Sequence, residues 1–577
     1  MTWRLHMELR KTLSALLWFL ALAALLALFF AFREHATLFH GPRVSVSARH
    51  LPYYAFCSFC RMLAAYVLSL AFAIPYGLFA ARGGLYERIM IPAIDIAQSV
   101  PVIGFFPAAI YFFVSLAHGS RLGVEMAAVF LIFTSQAWNL ALGVFESART
   151  IPSEITQALD TFGASDWLRL RRLLLPICVP KLVYNSILSW VAGWYFLIAC
   201  EIISVGPTHY RLPGLGSYLM EAANRGRSGE IVAALLVQLA IIIAMDLVVW
   251  RPLSAWSEKF RYEFLAGAGE PMSSLALLSA LGDAGAAGAR FLRRALHPLW
   301  TVFQALSVLI ERLEAPHQTA ALKALRWAGR IFVYAFLGLV AYGLARGATA
   351  LVRALIAPWP GEVRAIPAAA GASLLRLVIA YLISLAWTLP CAVAASESPR
   401  FSRWLAPLAQ IVGSIPATAL FPLIVLLVIR LTGGMNLASI LLILTGMQWY
   451  LLFNLLAGVS QIPEDLKEAT RGFGLARGAT WRRLTIPALT PSLVTGSITA
   501  WGGGWNALIL SEYFVFRGHT YQVTGLGALL DAATYGSGNG AMILLSLLSM
   551  VVIVIVLNRL VWRRLYDLAT EHFRLDY

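Results

Sequence analysis

The stretch IPSEITQALDTFGASDWLRLRRLLLPICVP, from Ile151 to Pro180, returns 311 residues later as IPEDLKEATRGFGLARGATWRRLTIPALTP, from Ile462 to Pro491. Ten of the 30 positions are identical, among them Ala158/Ala469, Phe162-Gly163/Phe473-Gly474 and Arg171-Arg172/Arg482-Arg483. The correspondence extends outward on both sides. Upstream, Arg61, Tyr66, Ser69, Pro75, Pro92, Ser99, Pro101 and Pro107 recur 315 residues later as Arg376, Tyr381, Ser384, Pro390, Pro407, Ser414, Pro416 and Pro422. Downstream, Trp190, Glu201 and Gly214-Leu215-Gly216 match Trp501, Glu512 and Gly525-Leu526-Gly527 at the offset of 311. Shared apolar composition produces matching Leu and Ala by chance; it does not produce matching Pro, Trp, Glu and Gly-x-Gly in register. The chain is two copies of one unit, and such repetition decides the architecture first.

Composition says what solvent surrounds the two copies. Of the 577 residues, 59% are apolar and 13% charged, against about half and about a quarter in soluble domains. With a mean hydropathy of +0.74, the excess has no soluble core to hide in. A soluble enzyme, a nucleic-acid binder and a disordered scaffold are excluded. The net charge of +16 then reads as Arg-rich cytoplasmic loops, by the positive-inside bias. Five cysteines, Cys57, Cys60, Cys178, Cys200 and Cys391, form no disulfide framework and read as packing thiols.

A spanning helix needs about 20 mainly apolar residues. Candidates lie near 12–32, 55–80, 92–117, 124–147, 183–205 and 230–250, then near 330–346, 372–395, 404–430, 436–458, 490–516 and 541–562. The first, with Arg4, Arg10 and Lys11 before it and no small-residue cleavage site, reads as a retained span. The run from Ala295 to Ile310, interrupted by His297, Pro298 and Gln304 behind Arg290, Arg293 and Arg294, reads as an interfacial helix. The expectation is therefore an all-α integral membrane protein of about 12 spans in two six-helix repeats. Residues 1–263 form the first repeat, 264–329 a cytoplasmic or interfacial linker and 330–577 the second repeat. Even span counts make the repeats parallel and put both termini, and both 30-residue loops, in the cytoplasm.

Each loop carries its own structural logic. Pro152 and Pro463 suit a first helical turn, with the acids Glu154 and Asp465 near its positive end. Gly163 and Gly474 can take the left-handed conformation that ends a helix. Each loop thus offers a short surface helix with a small residue, Ala158 or Ala469, at its centre, suited to a groove on a cytoplasmic partner. An ordinary positive-inside loop explains one basic stretch, but poorly explains two with the same turn chemistry.

These segments resemble the EAA signature, roughly E-A-A-x-x-x-G with a later I-x-L-P, of permease subunits of binding-protein-dependent ABC importers of the type I fold. Glu468-Ala469-Thr470 with Gly474 and Ile486-Pro487 follows the pattern; Gln157-Ala158-Leu159 with Gly163 and Leu175-Pro176 departs at its first and third positions. The spans of Arg61 and Arg376, and the segments QSVPVIGFFP (98–107) and GSIPATALFP (413–422), look most like permeases of the nitrate, sulfonate, taurine and bicarbonate group. The resemblance implies that Glu154, Gln157, Ala158 and Gly163, and Asp465, Glu468, Ala469 and Gly474, couple the chain to ATPase subunits. It implies as partners two nucleotide-binding subunits, a homodimer, with ATP and Mg bound there and no cofactor in this chain. It also implies an extracytoplasmic solute-binding protein that delivers a small, anionic solute, and a place in the bacterial inner membrane. No nucleic acid is expected as a partner. A P-loop needs Gly-Lys-Ser/Thr, and none of Lys11, Lys181, Lys259, Lys323 and Lys467 follows a glycine. No catalytic or metal site is expected.

Candidates for the translocation path or gate are Gln98, Ser99, Pro101 and Glu201 in the first repeat and Ser414, Pro416 and Glu512 in the second. A carboxylate near lipid is costly and marks function by default; Glu201 and Glu512 could bind substrate, pair with Arg61 and Arg376, or bond backbone at the outer mouth. The Ser-x-Pro pairs could free a carbonyl to line a cavity or serve packing alone. Aromatics such as Trp138, Trp449, Trp250 and Trp562 read as interfacial or packing residues. The rival reading is an ion-coupled secondary transporter with two parallel repeats, working through Glu201 and Glu512.

Overall fold

A computed structural model describes residues 44–99, 106–117, 120–260, 361–413 and 434–572, less residues 165, 206–207, 461, 463, 517–518 and 538, together with single positions between 327 and 359 and at 424 and 428. Its first repeat runs α1 (Leu51–Ala80), α2 (Gly84–Ser99), α3 (Phe106–Leu116), α4 (Arg121–Arg149), α5 (Ser153–Thr161), α6 (Leu175–Glu201), β1 (Ile202–Val205), β2 (Thr208–Arg211), α7 (Leu215–Asn224) and α8 (Ser228–Met245). The second follows the same order among its described residues, without a counterpart of α3 and ending on α16: α9 (Ile366–Glu397), α10 (Pro399–Gly413), α11 (Gly434–Ser460), α12 (Glu464–Gly472), α13 (Ile486–Glu512), β3 (Tyr513–Phe516), β4 (His519–Gln522), α14 (Leu526–Asp531), α15 (Gly540–Leu557) and α16 (Arg563–His572).

Among the described residues, seven helical stretches are long and apolar enough to cross a membrane: Ala48–Ala80, Arg121–Arg149, Leu170–Leu197, Ser228–Ser257, Gly361–Glu397, Gly434–Val459 and Ala541–Ala569. They coincide with seven of the spans read from hydropathy. The expected span at 12–32 lies outside the described residues, as do 330–346 and the linker 264–329 apart from single positions. Within the expected span at 92–117 the described helices are α2 and α3, with α2 starting eight residues early at Gly84.

The spans expected at 183–205 and 490–516 need correction. Helix α6 starts at Leu175, with Pro176 inside its first turn, and stops at Glu201; α13 likewise stops at Glu512. The chain then switches to antiparallel hairpins, Ile202 facing Arg211 and Tyr513 facing Gln522. Runs of β-branched and aromatic residues, Ile-Ile-Ser-Val and Tyr-Phe-Val-Phe, favour the pleated form. The last helical carbonyls are claimed from outside the helix: Leu212 N–H donates to Glu201 O and Val523 N–H to Glu512 O, both at 3.0 Å.

Helices α1, α4 and α6 pack in sequence, as do α9, α11 and α13. Without a hydrophobic drive between helices in lipid, close approach rests on small residues. A Cβ on Gly77 would lie 2.6 Å from Ala141 O, so no larger residue fits between α1 and α4. The α4/α6 crossing is built reciprocally in the two repeats. In the first, Gly143 on α4 faces Asn185 on α6; in the second, Asn454 on α11 faces Gly496 on α13. At this pair of positions each crossing carries one asparagine, from opposite sides. The main core is continuous across the repeats, joining Trp194, Leu197 and Tyr218 to Leu377, Ile443, Met447 and Trp505. Trp250 packs edge-on against Tyr66 and Trp190; Trp562 packs edge-on against Tyr381 and tilted against Trp501. The five cysteines are all free thiols, buried or half-buried.

Candidate functional site: two exposed loop helices and two buried charge latches

The loop helices α5 and α12 end alike. Phe162 N–H donates to Ala158 O at 3.0 Å, Gly163 N–H to Asp160 O at 3.1 Å and Ala164 N–H to Leu159 O at 3.0 Å. Phe473, Gly474 and Leu475 repeat this with Ala469, Arg471 and Thr470 at 2.9, 3.0 and 3.1 Å. Both glycines sit at φ +64°, the left-handed cap that satisfies the last carbonyls. A Cβ on either would meet nothing within 4 Å, so glycine is needed for its backbone and not for space. Glu154, Gln157 and Ala158 are exposed, as are Asp465, Glu468 and Ala469. The loops are tied down beside the helices: Arg169 pairs with Asp160, and Trp481 Nε1 donates to Glu397 at the end of α9.

At the opposite end of α6 and α13 stand Glu201 and Glu512, both 0% exposed. Ser58 and Arg61, three residues apart on one face of α1, reach Glu201 together. Ser58 Oγ donates to Glu201 Oε1 at 2.5 Å and Arg61 Nη1 donates to the same oxygen at 2.8 Å. Gly216 N–H donates to Oε2 at 2.6 Å, and Leu215 N–H donates to Ser58 Oγ at 2.9 Å. The second repeat reproduces this: Ser373 Oγ and Arg376 Nη1 donate to Glu512 Oε1 at 2.7 and 2.6 Å, Gly527 N–H to Oε2 at 2.8 Å and Leu526 N–H to Ser373 Oγ at 2.9 Å. This gives the Gly-Leu-Gly motif a physical reason. A Cβ on Gly214 or Gly525 would fall on the glutamate carboxylate, while the second glycine of each motif donates to it. Each carboxylate therefore locks the hairpin and the helix after it onto α1 or α9. Of the three sequence readings of Glu201 and Glu512, the geometry unites two, arginine pairing and backbone bonding.

The latches differ in what else the arginine holds. Arg61 grips Glu125 of α4 through Nε at 2.5 Å and Nη2 at 2.8 Å. At the corresponding place on α11 stands Asn436, whose Oδ1 accepts from Arg376 Nε at 3.2 Å and Nη2 at 3.0 Å, with Thr524 O accepting at 2.8 Å. Among the described residues, Arg61 is thus shared by two carboxylates and Arg376 has one. Sequence reading missed Ser58, Ser373, Glu125 and Asn436. The serines obey the offset of 315, so extending the repeat alignment by three residues finds them; Glu125 and Asn436 differ in type and leave no such trace.

Of the other path candidates, Gln98 is exposed near the end of α2 and Ser99 closes that helix. Pro101, Ser414 and Pro416 lie outside the described residues.

Repeated helical spans, paired loop helices at one end and paired latches at the other define a multi-pass membrane protein of the type I importer permease fold. The chain belongs to the family described as binding-protein-dependent transport system inner membrane component, whose sequence profile matches residues 73–250 and again 384–566. It is 26% identical over 190 residues to the nitrate import permease protein NrtB of Leptolyngbya laminosa, covering 33% of this chain and 64% of that protein. It is 21% identical over 186 residues to the bicarbonate transport system permease protein CmpB of Synechocystis, covering 32% and 62%. The glycine betaine transport system permease protein OpuAB of Bacillus subtilis is 21% identical over 185 residues, covering 32% and 60%. The chain thus spans about three fifths of the length of these relatives.

Proposed function

We propose that this chain is the fused permease of an ATP-driven import system, with both halves of the pathway supplied by one polypeptide and a small, anionic solute moved inward. The observation that carries the reading is the duplicated exposed helix, α5 and α12, each closed by the same left-handed glycine cap at one end of the bundle. Each would dock on one subunit of a homodimeric ATPase, which binds ATP and Mg. The proposed division of the chain is 1–263, 264–329 and 330–577, with both termini and both docking helices on the cytoplasmic side of a bacterial inner membrane. A solute-binding protein would deliver the solute at the opposite, hairpin-bearing face. Nitrate and bicarbonate in the names of two relatives support an anion.

The buried carboxylates argue against ion coupling. Glu201 and Glu512 each accept three hydrogen bonds, one from an arginine, and have no exposed surface, a poor arrangement for carriers that must load and release a cation. The test is transport by the full chain, purified with whatever ATPase accompanies it and reconstituted with its binding protein. Labelled nitrate, bicarbonate and glycine betaine are offered in turn. ATP-dependent uptake of an anion supports the reading. Uptake that ignores ATP and follows a sodium or proton gradient sinks it.

A further inference from the structure

Nothing in the fold of either loop accounts for its aromatic residue. Phe162 is 85% exposed and Phe473 83% exposed, more than any other large apolar side chain described. The cap that follows each is closed by backbone bonds and a glycine, so the phenyl ring stabilises nothing in its own loop. Single exposed apolar residues need no explanation, but here the same residue stands out of the same cap twice, 311 residues apart. It also ends a pattern. Glu154, Ala158 and Phe162 are spaced by four along α5, and Asp465, Ala469 and Phe473 are spaced identically along α12. Residues four apart share a helix face, and all six are exposed. The neighbouring face, about 80° round the helix, carries Ile155 and Leu159 or Leu466 and Thr470 and is partly covered. Elsewhere the loop helices diverge: Thr156, Asp160 and Thr161 become Lys467, Arg471 and Gly472.

We propose that Phe162 and Phe473 are the apolar anchors by which this chain holds its ATPase, each filling a pocket on one of two identical subunits. This rests on the permease reading above and adds the recognition chemistry. The partner surface is an apolar pocket, then a flat patch against alanine, then a basic side chain opposite Glu154 or Asp465. At 1.5 Å per residue the pocket and the cation lie about 12 Å apart. An aromatic ring fully desolvated in a pocket is the usual form of an interface hot spot. The acid and the exposed alanine on the same face as each ring favour a protein partner over the bilayer surface, which would take a continuous apolar face.

The test uses the full chain in membranes of its own host. A photo-crosslinking amino acid at position 157 or 468 first reports docking without touching the rings. Wild-type rings with cross-links to a P-loop ATPase from both positions establish the docking reading; no cross-link from either overturns it and the anchor together. Phe162→Ala and Phe473→Ala are then compared for ATPase affinity by titration of the detergent-purified chain. Each is expected to weaken binding at its own site about thirtyfold, equivalent to about 2 kcal/mol at 1.4 kcal/mol per tenfold. The double variant loses the ATPase on purification, and Phe→Leu recovers most of the affinity. Cross-links that persist with wild-type affinity in the double alanine variant overturn the anchor and leave docking intact. Strong quenching of Phe162→Trp or Phe473→Trp fluorescence by brominated phospholipid in the assembled complex would place the rings in the bilayer and overturn it too.

Discussion

Replacing Glu512 by Gln should destabilise the protein more than replacing Glu201 by Gln, although the two carboxylates occupy equivalent places. Removing one partner from a buried ion pair costs about 3–5 kcal/mol, because the other charge is left uncompensated. In the second repeat that full cost applies: among the described residues, Arg376 keeps the neutral acceptors Asn436 Oδ1 and Thr524 O. In the first, Arg61 keeps both bonds to the Glu125 carboxylate, at 2.5 and 2.8 Å. The loss there is confined to hydrogen bonds with a charged group, about 1.5–3 kcal/mol. The difference, about 2 kcal/mol, comes from one residue and can be erased at one residue. Asn436→Asp is isosteric and its oxygen already faces Arg376, so it supplies the missing carboxylate without moving an atom. Added to Glu512→Gln, it should recover most of that difference. The assay is unfolding of the purified chain by SDS titration, followed by tryptophan fluorescence. Equal losses for Glu201→Gln and Glu512→Gln, or no recovery on adding Asn436→Asp, would refute the argument that Arg376 depends on a single carboxylate.

Gly143→Asn sets a second side chain into the space filled by Asn185 and should cost about 1–3 kcal/mol by overpacking; adding Asn185→Gly gives this pair the order it has in the second repeat and should restore stability in the same titration. Gly214→Ala or Gly525→Ala places a methyl on the latch carboxylate, and should loosen the hairpin of that repeat, seen as faster proteolysis between residues 202 and 212 or 513 and 523. Gly474→Val forces a branched residue into φ +64° at about 1–2 kcal/mol, whereas Gly474→Asn should be mild. Combined with Glu468→Lys, Gly474→Val should leave the chain in the membrane and stop ATP-dependent uptake; unchanged uptake removes α12 from the coupling path.

The membrane fold was legible because its signals are local and repeated. A run of about 20 apolar residues can be read without knowing its neighbours, and the paired Pro, Trp and Gly-x-Gly fix the repeat. The loop helices were legible for the same reason, since a cap is written in consecutive residues, here Phe162-Gly163 and Phe473-Gly474. The helix ends at Glu201 and Glu512 were not, because hydropathy continues through Ile-Ile and Tyr-Phe while backbone pairing does not. Glu125 was invisible for a different reason. It lies 64 residues from Arg61 in sequence, and its counterpart Asn436 differs in charge, so neither spacing nor repetition marks it.

What differs between the repeats, and where, bears on how such a duplicated chain can drift. At the latch, Glu125 stands against Asn436, and at the helix crossing Gly143 with Asn185 stands against Asn454 with Gly496. These contacts are internal to one repeat. At the crossing, glycine and asparagine have exchanged places across the pair, so that each pair still holds one asparagine. A surface that meets a separate subunit has no such freedom when the same subunit must also fit the other repeat, because any answering change in the partner alters both docking sites at once. The acid, alanine and phenylalanine of the stripe have kept their type on α5 and α12, while Thr156, Leu159 and Asp160 of α5 stand against Lys467, Thr470 and Arg471 of α12. An ATPase built of two different subunits would lift that constraint, and would let the stripes on α5 and α12 diverge as the packed interiors have. On the proposed docking, a stripe that matches on otherwise diverging helices is what identical ATPase subunits require, and finding two distinct ATPase chains in the purified complex would defeat that proposal.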